Sequence, residues 1–141
     1  GQVWYNTTSN ELKGQVLTTA GAWATGGTMN TARYATAGAG TQGAALVFGG
    51  EPVPSNAQTE SYNGTSWTEV NDLNTGRQTL GGTGDAQTSI LAAAGYQGSS
   101  YYTEAESWNG TNWTEVNNLS LGRSAVGMSG TSNTSALVFG G

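Results

Sequence analysis

Three tryptophans, three arginines and three glycines recur along this chain at matching intervals, and that recurrence restricts the fold more than any other feature. Trp23, Trp67 and Trp113 stand 44 and 46 positions apart. An arginine follows each tryptophan by ten residues (Arg33, Arg77, Arg123), and a glycine follows each arginine by seven (Gly40, Gly84, Gly130). Every copy then enters an apolar run: Ala45-Leu-Val-Phe-Gly-Gly50, Ser89-Ile-Leu-Ala-Ala-Ala-Gly95 and Ala136-Leu-Val-Phe-Gly-Gly141. The small length differences fall in Gly- and Asn-rich turns, where insertions are tolerated.

Each copy predicts four short strands. The first follows the arginine (Tyr34 to Ala39, Gln78 to Thr83, Ser124 to Ser129) and is made of small residues. The second is the apolar run. The third holds Glu60-Ser-Tyr62 or Glu106-Ser-Trp108, and Asn63-Gly64 or Asn109-Gly110 turns it into the fourth, which carries the tryptophan. Asn-Gly suits a type I′ hairpin because both residues accept a positive φ. A four-stranded unit at this period predicts an all-β fold, a β-propeller of four-stranded antiparallel blades. First strands crowded around an axis would be driven towards Gly, Ala and Ser. The composition agrees: 23 glycines and few Leu, Glu or Lys disfavour helices, while five Trp and six Tyr exclude a disordered chain.

These positions resemble kelch repeats, in which an apolar strand ends in a double glycine and is followed by a Tyr and, about six residues later, a Trp. Gly49-Gly50, Tyr62 and Trp67 fit that pattern, as do Gly95, Trp108 in the Tyr place, and Trp113. The resemblance covers residues 23 to 141 and implies a propeller. Residues 1 to 22 depart from it. Val3 to Tyr5 and Glu11 to Leu17 read as a hairpin, in a style similar to segments of phage tail and fibre proteins.

The chain has the length of one domain, residues 1–141. Residues 33–76 and 77–122 are whole blades, 123–141 supply the first two strands of a split blade, and 1–32 supply its outer hairpin and fourth strand. Three blades are too few to close a ring, which needs about four to eight. A homodimer placing six blades around a two-fold axis is therefore expected. A trimer of nine blades and a fragment of a longer propeller are the alternatives.

The residue types present exclude much chemistry. Without Cys or His there is no disulfide, no Cys-based zinc site and no imidazole general base, so no enzyme activity, cofactor or metal is expected. A net charge of −5 with four cations disfavours nucleic acid, and no apolar run reaches membrane-spanning length. Two functions remain: a recognition module for a carbohydrate or cell-surface receptor, and a purely structural oligomerisation module of a larger assembly. The phage-like segment suits both and favours a virion or extracellular location.

The candidate ligand-binding residues are Arg33, Arg77, Arg123, Tyr101 and Tyr102. The arginines either ring one mouth of the propeller and grip an anion, or pair with a neighbouring group, for which Glu69 and Glu115 are candidates. The second reading is favoured because every copy keeps the arginine. Tyr101-Tyr102 lies in a loop and is not fixed by the repeat, so its rings are free to stack on a sugar. Trp23, Trp67, Trp113, Gly40, Gly84 and Gly130 are structural repeat positions. Asp85 reads as turn chemistry.

Overall fold

The computed structural model describes residues 3–6, 11–14 and 25–141. Strands β1 (Val3–Asn6) and β2 (Glu11–Gly14) form a two-stranded hairpin with Val3 opposite Gly14. The first copy builds β3 (Ala37–Thr41), β4 (Ala44–Phe48), β5 (Thr59–Tyr62) and β6 (Trp67–Val70). They form one antiparallel sheet in the order β3-β4-β5-β6. The second copy begins with β7 (Gly81–Thr83) and β8 (Ile90–Ala93), followed by a small hairpin of β9 (Tyr96–Gln97) and β10 (Ser100–Tyr101). Strands β11 (Ala105–Trp108) and β12 (Trp113–Val116) complete its sheet, ordered β12-β11-β8-β7. The third copy contributes β13 (Gly127–Ser132) and β14 (Ser135–Phe139), a sheet of two. Apart from a single 3-10 turn at Ser55–Ala57, the described residues hold no helix. The fold is all-β with antiparallel sheets, none of them closed.

The first two copies each build a four-stranded sheet as expected and the third a sheet of two, but the first strand of each copy begins about three residues later than the sequence suggests. The cause lies just after the repeated arginine. Ala35, Thr79 and Ala125 adopt φ of 54, 50 and 53°, a left-handed conformation that an extended strand cannot contain. For a residue with a Cβ this costs about 1–2 kcal/mol. It is held by backbone bonds linking successive copies: Thr79 N–H donates to Ala35 O and Ala125 N–H to Thr79 O, both at 2.8 Å.

The Asn-Gly turns also differ from expectation. Gly64 and Gly110 have positive φ, but Asn63 and Asn109 do not, so the turn is not type I′. Each Asn works through its side chain instead. Asn63 Oδ1 accepts from the N–H of Thr65 (3.0 Å) and Ser66 (2.9 Å), and Asn109 Oδ1 from Thr111 and Asn112, both at 2.9 Å. The hairpin is thereby fastened by an Asx-type bond.

Gly40, Gly84 and Gly130 are fixed by the repeat for a steric reason. All three have positive φ, and a Cβ on each would run into the carbonyl oxygen of the neighbouring strand, at Ala44, Ser89 and Ser135. Only glycine lets the first two strands of each copy close so tightly.

The main core lies between the first two sheets. Leu46, Phe48, Leu73, Leu80, Ile90, Trp108 and Trp113 are buried there in one cluster. Phe48 meets Trp113 edge-on with centroids 4.9 Å apart, and Trp113 stands 5.3 Å from Trp108. Burying a Phe side chain contributes about 1.5–3 kcal/mol. β7 is packed on both faces, since alternate residues of a strand point opposite ways. A Cβ on Gly82 would lie 2.6 Å from Phe48 Cζ, and one on Gly81 2.6 Å from Met128 Sδ. The small residues of the first strand thus leave room for neighbouring sheets. Trp113 joins successive copies, with its Nε1–H donating to Thr59 Oγ1 at 3.1 Å; Trp67 is half-buried against Tyr62. Trp23 lies outside the described residues.

Candidate functional site

The repeated arginines are not paired with Glu69 and Glu115, both of which are exposed. Arg33 and Arg77 pair within their own sheets with the glutamates of the third strand. Arg33 Nη2 lies 3.0 Å from Glu60 Oε1, and Arg77 Nη1 2.7 Å from Glu106 Oε1. Each pair is almost wholly withdrawn from solvent, so Arg33 and Arg77 cannot reach a ligand in a mouth.

The surroundings repeat as well as the pair. Glu60 accepts from the backbone N–H of Asn30 (2.7 Å), from Asn30 Nδ2 (2.9 Å) and from the N–H of Thr31 (3.3 Å). Glu106 accepts from Asn74 N–H (2.7 Å), Asn74 Nδ2 (2.9 Å) and Thr75 N–H (3.3 Å). An Asn-Thr-x-Arg segment therefore wraps a carboxylate with its backbone, amide and guanidinium together. Burial alone raises the Glu60 carboxyl, but the bonds from Asn30, Thr31 and Arg33 outweigh it and hold the group below its ordinary range. The signal for this motif was in the sequence: Asn30-Thr31-Ala32-Arg33 precedes Glu60, and Asn74-Thr75-Gly76-Arg77 precedes Glu106, at spacings that differ by two residues.

A second repeated device ties the copies together. Gln87 Nε2 reaches back to Ala45 O (2.8 Å), Ser61 Oγ (2.8 Å) and Tyr62 O (2.9 Å) in the first copy. Asn133, three residues after its glycine as Gln87 is, donates to Ser107 Oγ at 2.7 Å in the second. Position 43 is its counterpart in the first copy and is a glycine.

The third arginine stands apart. Arg123 Nη1 donates to Gly140 O at 2.9 Å, as Arg33 Nη1 donates to Gly49 O at 2.9 Å, so both guanidiniums hang from the same point of their sheets. Among the described residues no carboxylate meets Arg123. Ser120 and Leu121 occupy the places of the Asn-Thr pair. In front of Arg123 opens a cavity of about 470 Å³, lined by Tyr101, Leu121, Gly122, Arg123, Ser124, Ala125 and Gly141.

Two of the five expected ligand residues, Tyr101 and Arg123, line this cavity. Arg123 N–H donates to Tyr102 O at 3.2 Å, and Tyr101, largely exposed, forms part of the wall. The Tyr102 hydroxyl is directed towards Gln97 Oε1 at 3.3 Å, and the ring of Tyr101 lies 5.4 Å from that of Tyr96. The cavity lining brings together the Arg123 cation, a cation of the kind that suits a carboxylate, and the Tyr101 side chain. No protein-family model matches the chain, and a search of curated proteins finds no match.

Proposed function

We propose that the chain is a non-catalytic assembly module: a run of kelch-like propeller blades completed by a second copy of itself into a six-bladed ring. One observation carries this reading. The strand Ala-Leu-Val-Phe occurs twice, and its two copies meet opposite environments. Leu46 and Phe48 are 1% and 0% exposed beneath the second sheet, whereas Leu137 and Phe139 are 63% and 50% exposed. Bare Leu and Phe on a strand written for burial mark a surface that needs cover.

The second copy has a surface of the required shape. Phe48 is received by Gly82 and Trp113; Gly38 and Trp67 hold the equivalent positions in the first copy, where Gly38 is exposed and Trp67 half-buried. Phe139 of one chain would lie against Gly38 and Trp67 of the other, and a two-fold repetition closes the ring. Sedimentation of the wild-type chain beside a Phe139→Asp variant tests this: the wild type should sediment as a dimer and the variant as a monomer.

The second reading, a recognition module in a phage tail or fibre, draws on the cavity at Arg123 and Tyr101. A glycan array separates the two. Binding lost on Tyr101→Ala would favour recognition, and an array without signal would favour assembly alone.

A further inference from the structure

We infer that Tyr34, Glu51 and Gln78 form a binding site for a primary ammonium group, carried by a lysine side chain of a partner or by a free amine. The site straddles the joint between the first two copies, both of which have all four strands. It therefore depends neither on ring closure nor on the cavity at Arg123.

Tyr34 follows the repeated arginine, and Glu51 follows the double glycine. A backbone bridge joins them: Tyr34 N–H donates to Glu51 O at 3.1 Å, and Glu51 N–H to Tyr34 O at 2.9 Å. Gln78 and Tyr96 form the same bridge one copy later. The side chains at these places are not those of the repeat. Gln78 and Ser124 are the counterparts of Tyr34, and Tyr96 is that of Glu51. The bridge uses only the backbone, which leaves the side chains open to another purpose.

In the first copy they converge on one carboxylate. Tyr34 Oη donates to Glu51 Oε2 at 2.6 Å, and Gln78 Nε2 donates to Glu51 Oε1 from the second copy. Both donors are neutral. Arg33 and Arg77 are engaged with Glu60 and Glu106, and among the described residues no cation pairs with Glu51. A half-buried charge is thus oriented from two sides and left uncompensated, in a chain of net charge −5. The backbone here offers nothing to an anion. The N–H groups of Tyr34, Gly50, Glu51, Gln78 and Thr79 all donate to carbonyls, and Pro52 has none. The capacity left over is mostly for accepting: Tyr34 Oη, whose proton is committed to Glu51, the remaining carboxylate lone pairs, and Gln78 Oε1. Beside them stands the Tyr34 ring, 63% exposed.

That combination selects a compact cationic donor. An ammonium can reach Tyr34 Oη and a carboxylate oxygen together while its charge lies by the aromatic face. A guanidinium needs both carboxylate oxygens for its fork, and Tyr34 and Gln78 already hold them.

The side-chain amide resonances of Gln78 in the ¹⁵N-labelled chain report on the site, and those of Gln87, bonded to Ala45 O, are the control. Butylammonium should shift the Gln78 pair saturably in the millimolar range and leave Gln87 in place. Tetramethylammonium, which has the charge without the donors, should not do so at equal ionic strength. Glu51→Gln and Tyr34→Phe, both outside the core cluster, should each weaken butylammonium binding about tenfold, the loss expected for one charge-assisted hydrogen bond. Tighter binding of N-acetyl-lysine methylamide than of butylammonium would assign the ammonium to a polypeptide partner, and equal binding would assign it to free amines. An equal response to tetramethylammonium, a shift that never saturates, or undiminished binding by Glu51→Gln would overturn the inference.

Discussion

Arg77 and Glu106 meet at 2.7 Å with neither side chain exposed, and Arg33 and Glu60 repeat the contact one copy earlier. A buried pair of this kind contributes little net stability against an apolar replacement, but breaking it leaves one charge stranded. Glu106→Ala should therefore cost about 3–5 kcal/mol in urea unfolding. Glu115→Ala, on the exposed face of β12, should stay within about 0.5 kcal/mol. The double variant Arg77→Met/Glu106→Leu should be more stable than Glu106→Ala alone. Equal losses at Glu106 and Glu115 would contradict the assignment of the pair.

Glu60 gives the fold a pH dependence of predictable sign. Its folded-state pKa is depressed, so its contribution is complete above the unfolded value, about 4.3, and is lost as the pH falls through the folded value. Unfolding free energies measured across a pH series should fall below about pH 4.3 for the wild type. The Glu60→Gln variant should be less stable near neutrality and should show a shallower acid slope. Parallel curves would mean that the hydrogen bonds from Asn30 and Thr31 do not discriminate the charged form.

How much of this was legible beforehand depends on the residue. The four-stranded unit could be read because tryptophan, arginine and glycine are each fixed by local geometry. Gly40, Gly84 and Gly130 must avoid a neighbouring carbonyl, and no other residue can. Small residues in β7 were anticipated from crowding, and Gly81 and Gly82 are crowded, one by Met128 and the other by Phe48. The partner of the arginine was missed because Glu69 and Glu115 recur beside the repeated tryptophan and suggested a pair with a neighbouring group, whereas the sheet register carries Glu60 and Glu106 to the guanidinium. Ala35, Thr79 and Ala125 gave no warning of their left-handed backbone, since bonds between copies impose it. Tyr101 and Tyr102 were singled out for lying outside the repeat, and Tyr101 lines the cavity in front of Arg123.

Packing between sheets predicts a sharp contrast at two glycines. A side chain at Gly82 has no space beneath Phe48, so Gly82→Val should destabilise by about 1–3 kcal/mol through overpacking. Gly43 faces open space, and Gly43→Ala should leave the midpoint of thermal unfolding nearly unchanged. Similar shifts for both would mean that the first two sheets do not pack as described.

The two phenylalanines of the repeated strand should respond to truncation in different ways. Phe48→Ala removes a buried ring and should cost about 3–5 kcal/mol. Phe139→Ala should barely alter the unfolding of the dilute chain, yet weaken its association by an order of magnitude or more. A loss of stability at Phe139 equal to that at Phe48, persisting on dilution, would contradict the view that this face is bare in the single chain.

The account as a whole rests on the proposal that a second copy covers Leu137 and Phe139. Light scattering on the eluting peak of a gel-filtration run tests that most directly. A mass of twice 14.4 kDa, falling towards 14.4 kDa on dilution and in the Phe139→Asp variant, is the result predicted. A mass of 14.4 kDa at every concentration for the wild type would contradict it.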